Sequence, residues 1–225
     1  MNCCSMGLAV SKIIHVNAPA QTLWDVLTDI ETYPNFVETI KSAKIKLPLK
    51  NVSYESSCST AATKTRVQVG TNIYEERSKK RPKSNETVLI FKVRRIVTNV
   101  IESPSTNEYS ISFSSQFHDD YPRYADLLCN TSTLSIIPSC TLVDSTDIIN
   151  DSGCCKLVGS LALEVGGIGS TSLSALCPIW SMACCKRKIL THAERHFEEE
   201  LRDYGTEAEL RYQQQKVTTA KISGN

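Results

Sequence analysis

Apolar and polar positions alternate with a period of two through the middle of this chain and recur near every 3.6 residues toward both ends. The first β-rich run is Lys12 to Val16, and the segment Val16 to Val37 follows it with an Ala-Pro turn. Pro19 suits the first turn of a helix, where its missing N–H costs nothing. Leu23, Val26, Leu27 and Ile30 then define one apolar helical face, with Trp24 beside it. Tyr33-Pro34 ends that helix and opens a second short one. Ala43 to Leu47 reads as a strand closed by Pro48, and residues 49 to 64, rich in Ser and Thr, read as a loop or insertion. Val67, Val69, Ile73 and Tyr74 surround Gly70, which predicts a strand with a bulge or bend.

Further strands are predicted at Thr87 to Ile101, Tyr109 to Ser114, Leu134 to Ile137, Leu142 to Ile149 and Leu157 to Val165. In the second of these, Tyr109, Ile111 and Phe113 alternate strictly with Ser110, Ser112 and Ser114, the pattern of a strand buried on one face. The basic run from Arg77 to Lys83 falls between two strands and contains Pro82, so it reads as a solvated hairpin tip; a localisation or anion-binding patch is the alternative. From about Ser172 to Lys216 the period becomes helical. Leu176, Trp180, Ala183, Leu190, Phe197, Leu201, Tyr204 and Ala208 form the stripe of one long buried face. Pro178 marks its start or a kink, Gly205 is expected to weaken it, and the tail from Val217 is expected to be disordered. The resulting order is one strand, two short helices, about six strands and a long helix.

Composition narrows the function classes. With 25 Lys and Arg against 24 Asp and Glu, the net charge of +1 gives no global pull toward nucleic acid or an anionic membrane. No apolar run reaches the roughly 18 residues that span a bilayer, and Met1 to Val10 has no basic segment ahead of an apolar one, so a cytoplasmic protein is expected. The ten cysteines include three adjacent pairs, Cys3-Cys4, Cys154-Cys155 and Cys184-Cys185, but no Cys-x-x-Cys. Reduced, mostly buried thiols are the expectation, with acylation of Cys3-Cys4 or Cys184-Cys185 left open.

Three stretches together resemble a known group. These are the strand–Ala-Pro–helix–Tyr-Pro–helix opening, the step Val69-Gly70-Thr71 leading to Glu75-Glu76-Arg77, and the phrase from His192 to Tyr204. They are similar to the START-like superfamily, in particular its polyketide cyclase/dehydrase and lipid-transport family, which includes coenzyme-Q-binding proteins. The resemblance implies an α+β helix-grip fold: a curved antiparallel sheet wrapped around a long C-terminal helix, with two short helices after the first strand. It implies one domain over residues 9–212 between flexible termini, 1–8 and 217–225. It further implies an internal cavity for a small hydrophobic ligand such as a lipid, sterol, isoprenoid quinone or polyketide-like aromatic.

The residues that alternation and helical spacing would aim at such a cavity are Val69, Phe91, Ile111, Phe113, Leu161 and Leu163 from the sheet, and Trp180, Leu190 and Phe197 from the helix; Trp24 is a further candidate, read first as core. The three/four spacing also lands on Arg187 and Glu194, where an unpaired inward charge would cost several kcal/mol unless a polar ligand or water met it. Carrier or sensor function is one reading. An aromatase/cyclase or dehydratase is the second, with Arg187, Glu194 and Tyr74 as the acid–base candidates; a protein-interaction module with a filled core is the third. His192 and His196, four apart on the helix, lack a third ligand at metal-binding spacing, and His118-Asp119-Asp120 reads as solvated loop, so no metal and no cofactor is expected.

Overall fold

The computed structural model describes residues 6–47, 67–80, 87–117, 129–138, 153–165 and 179–223. Strand β1 (Met6–Val16) is followed by helix α1 (Ala20–Thr28) and a 3-10 helix (Ile30–Asn35). Six strands come next: β2 (Ile40–Lys46), β3 (Asn72–Lys80), β4 (Thr87–Ser103), β5 (Glu108–Phe117), β6 (Cys129–Pro138) and β7 (Cys155–Val165). The long helix α2 (Ile179–Ser223) ends the order. The seven strands form one antiparallel sheet in the order β1-β7-β6-β5-β4-β3-β2. The chain thus runs as a meander from β2 to β7, and its first strand pairs with its last. Helix α1 and the 3-10 helix carry the chain from one sheet edge to the other, which is the expected helix-grip arrangement.

Pleating explains which residues face the helix. In β5, Tyr109, Ile111 and Phe113 are buried, while Ser110 and Ser112 point outward and meet Ser135 and Thr133 across the strand pair at 3.0 Å each. The apolar face of α1 packs onto the end of the sheet as spacing predicted, with Leu23, Val26, Leu27 and Ile30 fully buried. Each such side chain contributes roughly 1.5–3 kcal/mol by leaving water. Tyr33 from the 3-10 helix and Tyr204 from α2 close the same core, their ring centroids 5.0 Å apart, and Phe36 edges onto both.

Two glycines permit close approach or reversal. At Gly159 a Cβ would lie 2.8 Å from Leu201 Cδ1 and 2.8 Å from Phe197 Cζ, so its absence lets α2 sit directly on β7. Gly70 has φ 85° and supplies the bend expected around it; its N–H donates to Val97 O at 2.8 Å. The helix continues through Gly205, which packs against Val16 instead of interrupting it.

Several boundaries differ from the sequence expectation. The first strand begins at Met6, because Met6 to Leu8 extend the ladder with Val165 to Leu163. Residues 217–223 are helical rather than disordered: no Pro or Gly interrupts them, and Thr218 and Thr219 hydroxyls donate to the carbonyls of Gln214 and Gln215. Strand β3 starts at Asn72, and residues 69–70 form a turn ahead of it. The predicted strand Leu142 to Ile149 and the connector containing His118-Asp119-Asp120 lie outside the described residues. No described helix is long and apolar enough to cross a membrane.

Candidate ligand site between sheet and helix

Four charged side chains meet on the concave face where the sheet touches α2. Alternation in β3 places Ile73, Glu75 and Arg77 on one face, and in β4 it does the same for Val93, Arg95 and Val97. Ile73 and Glu75 stand opposite Arg95 and Val93 across the strand pair. From the helix, Glu200 projects one turn before Tyr204. Arg77 binds both carboxylates. Its Nε donates to Glu75 Oε2 at 2.7 Å, and its Nη1 and Nη2 donate to Glu200 Oε2 and Oε1 at 2.9 and 3.2 Å. Arg95 Nη1 donates to the other oxygen of Glu75 at 3.1 Å and Nη2 to Ser132 Oγ at 3.4 Å. The Arg95 guanidinium lies 4.0 Å above the Phe113 ring, and the Tyr204 hydroxyl donates to Glu200 Oε1 at 2.7 Å.

The cluster is graded in depth. Side-chain exposure rises from 0% at Glu75 and 7% at Arg95 to 14% at Glu200 and 18% at Arg77. Below it the interior is filled: Tyr33, Tyr204, Phe113 and Leu201 are each under 2% exposed. Elsewhere on the same face, Leu161 on β7, in the cross-strand row of Phe113 and Ser132, and Leu190 and Phe197 on α2 are only half-buried. Asn130, beside Leu163 across the β6–β7 pair, is half-buried as well. The charged group thus stands on a face that is tightly packed at some positions and half-buried at others.

Arg77, Arg95 and Glu200 are held strongly in their charged forms. Burial alone would raise the Glu200 carboxyl, but the guanidiniums of Arg77 and Arg95 outweigh it and bring it down to about 2. Burial works against the charge on Arg77 and Arg95, and the carboxylates of Glu200 and Glu75 more than restore it, so both stay protonated. Desolvation, reinforced for Tyr204 by the adjacent Glu200 charge, drives the phenols of Tyr33 and Tyr204 above their ordinary range. General acid–base chemistry needs a group that titrates near the working pH. Glu200 and the two phenols are displaced away from it in opposite directions.

Of the residues picked from sequence, Ile111 and Phe113 lie on the buried inner face, and Phe113 forms the bed of Arg95. Leu163 is buried and Leu161 half-buried on the same face. Leu190 and Phe197 are half-buried on the helix. Trp24 is core, its ring 5.5 Å from that of Tyr109, and it does not reach the charged cluster. Phe91 and Trp180 belong to β4 and α2, but their side chains lie outside what the structure describes.

Four picks need correction. Val69 is 57% exposed, because it sits in the Gly70 turn before β3 begins. Tyr74 points away from the concave face, since the pleat gives that face to its neighbours Ile73 and Glu75. Arg187 is exposed. Glu194 is on the surface in an ion pair with Lys12 at 2.6 Å, Lys12 also pairing with Glu198 at 3.2 Å, within an open groove of about 480 Å³ that Arg195 and Arg202 also line. In exchange, Arg77 is not part of a solvated basic tip: it turns inward. Its signal was available, as Glu75, Arg77 and Arg95 hold the same alternating positions as Ile73, Val93 and Val97.

Other expected chemistry has a plain outcome among the described residues. No group of three or more His, Cys, Asp or Glu is arranged to hold a metal. His196 Nδ1 lies 3.2 Å from Glu199, and the rings of His192 and His196 contact each other edge to face. Cys154 and Cys155 are free thiols, and burial pushes the Cys155 thiol up to about 12.

Residues 16–104 match the sequence profile of a family described as polyketide cyclase / dehydrase and lipid transport. Among curated proteins there is no match. The fold is shared with the Zhui aromatase/cyclase from Streptomyces sp. R1128, at 16% identity and a TM-score of 0.52, over 92% of this chain and 96% of that one. It is shared too with SA2116, a protein of unknown function from Staphylococcus aureus, at 7% identity and a TM-score of 0.58, over 94% and 99% of the two chains. The di-domain aromatase/cyclase StfQ of the steffimycin biosynthetic pathway matches at 10% identity and a TM-score of 0.53, over 92% of this chain and 52% of its own. Identities this low carry the architecture and none of the chemistry.

Proposed function

We propose that this chain, whose residues 16–104 match the profile of the polyketide cyclase/dehydrase and lipid-transport family, binds a small hydrophobic ligand between the concave sheet and the long helix without transforming it. The observation that carries this reading is the charged floor. Two guanidiniums and two carboxylates bond to one another on the concave face, which also carries half-buried apolar side chains. Such a group offers a fixed polar surface to orient one end of an otherwise apolar molecule. Glu200, held at about 2, is a poor acid and a weak base at neutral pH, and the phenols of Tyr33 and Tyr204 are poor acids there. This favours a carrier or sensor over a cyclase. The ligand's apolar part would lie along Leu161, Leu190 and Phe197.

Native mass spectrometry of the purified protein, followed by organic extraction, tests the reading. A co-purifying lipid, quinone or aromatic supports it. So does saturable binding of an environment-sensitive apolar dye that Phe197→Ala weakens by about tenfold or more while the protein stays folded. Conversion of a polyketone by protein that carries no extractable ligand would favour the cyclase instead. Absence of both ligand and dye binding would favour an interaction module with a filled core.

A further inference from the structure

The charges and hydrogen-bond donors of the floor specify what kind of polar end can sit on it. Arg77 and Arg95 are each matched by carboxylate, so the cluster sums to zero. Glu75 has both oxygens engaged by guanidinium, and Glu200 accepts from both Nη atoms of Arg77 and from Tyr204. The carboxylates have no donor in want of them. Arg95 differs. A guanidinium has five N–H groups, and those of Arg95 reach only Glu75 and, at 3.4 Å, Ser132; Glu200 Oε1, at 3.8 Å, is beyond hydrogen-bond length. Among the described residues its remaining N–H groups have no acceptor, although the side chain is 7% exposed. One face of the guanidinium is covered by Phe113. The donors left over lie in its plane.

We infer that the ligand is uncharged and presents a hydrogen-bond-accepting oxygen, such as a carbonyl, ester or hydroxyl, to the in-plane N–H groups of Arg95. This rests on the ligand-binding reading above. A carboxylate or phosphate would add a third anion to two guanidiniums already matched, in a place with little water to offset it. Among the described residues no further cation waits inside to receive one: Arg94 faces the outer side and donates to Asn72, and Lys12 is held by Glu194 and Glu198. An ammonium would meet the Arg95 charge directly. A neutral oxygen satisfies the free donors and leaves the balance untouched.

Pyrene-dodecanoic acid and its methyl ester share one apolar chain and differ in the charge of the polar end. At neutral pH the ester should bind the full-length wild-type protein at least about tenfold more tightly than the carboxylate. Any apolar pocket rejects a carboxylate to some degree, so Glu200→Gln supplies the specific signature. Removing that charge leaves the floor one positive charge in excess. The ester-to-carboxylate affinity ratio should then fall at least about tenfold below its wild-type value, whatever the variant does to ester binding itself. Wild-type binding of the carboxylate as tight as that of the ester overturns the inference and leaves ligand binding standing. A folded Glu200→Gln protein that still rejects the carboxylate also overturns it. Binding of neither probe to the wild type overturns the ligand-binding reading, and this inference with it. A wild-type ratio near one overturns the inference even where the variant does not fold.

Discussion

Replacing Glu200 by Gln removes one charge from a matched set of four, and the structure fixes both the size of the effect and its dependence on pH. The Glu200 carboxyl is lowered from an ordinary 4.5 to about 2, chiefly because Arg77 and Arg95 outweigh the cost of burial. A depressed folded value stabilises the fold above the unfolded value, and that stability is lost as pH falls toward the folded one. With a side chain 14% exposed, solvent screening is small, and a drop of this size corresponds to about 3 kcal/mol at pH 7. The same linkage leaves roughly 1.5 kcal/mol at pH 3. Removing one partner of a buried ion pair independently predicts about 3–5 kcal/mol, since Arg77 is left facing an amide. Urea unfolding of wild type and Glu200→Gln at pH 7, 4.5 and 3 measures the difference. It should be large and nearly equal at the two higher values and shrink by about half at pH 3. A difference under about 1 kcal/mol at pH 7, or one that does not narrow in acid, would refute the claim that Glu200 is held ionised by buried guanidiniums.

Gly159→Ala puts a methyl group within 2.8 Å of Leu201 and Phe197, and overpacking of this kind should cost about 1–3 kcal/mol. The thermal midpoint should fall by several degrees, and Phe197→Leu in the same chain should return part of the loss; a midpoint that rises would mean the helix does not seat on β7 as described. Lys12→Ala breaks surface ion pairs with Glu194 and Glu198, so chemical unfolding should change little, in contrast to Glu200→Gln. Of the adjacent thiols, Cys154 should react with a maleimide in native buffer well before Cys155, whose burial holds the thiol protonated. Mass mapping that finds equal labelling of the two would contradict the placement of β7.

The order of elements was legible because local spacing and global fold agree. Period two in β5, with Tyr109, Ile111 and Phe113 against serines, and period 3.6 in α1 can be read without knowing what they pack on. Charge was harder to place. The basic run opening at Arg77 looked like one solvated object, yet its first residue belongs to the pleat of β3 and faces Glu200, which is 123 positions away. Nothing local announces such a partner. Arg187 and Glu194 failed for the complementary reason. A drift of a few tens of degrees along a 45-residue helix moves a position from the inner face to the surface, and spacing cannot fix that phase.

The depth gradient across the charged group gives a reason for ions in this position. A buried ion pair is seldom a better stabiliser than apolar residues of equal volume. Tyr33, Tyr204, Phe113 and Leu201 show that this interior can be packed with apolar and aromatic bulk where packing is all that is needed. On the same face, the chain places two guanidiniums and two carboxylates instead, and binds them from β3, β4 and α2 at once. The helix is thereby fixed at a set height above the sheet by charged hydrogen bonds, with a direction that apolar contact does not supply. Leu190 and Phe197 lie on the half-buried side of that fixed point, and Leu201 and Tyr204 on the filled side. Stability alone would not select such an arrangement. On the proposed ligand-binding reading, a polar surface held at one depth would stop the polar end of a bound molecule there, and the ester and carboxylate probes ask which polar end that is.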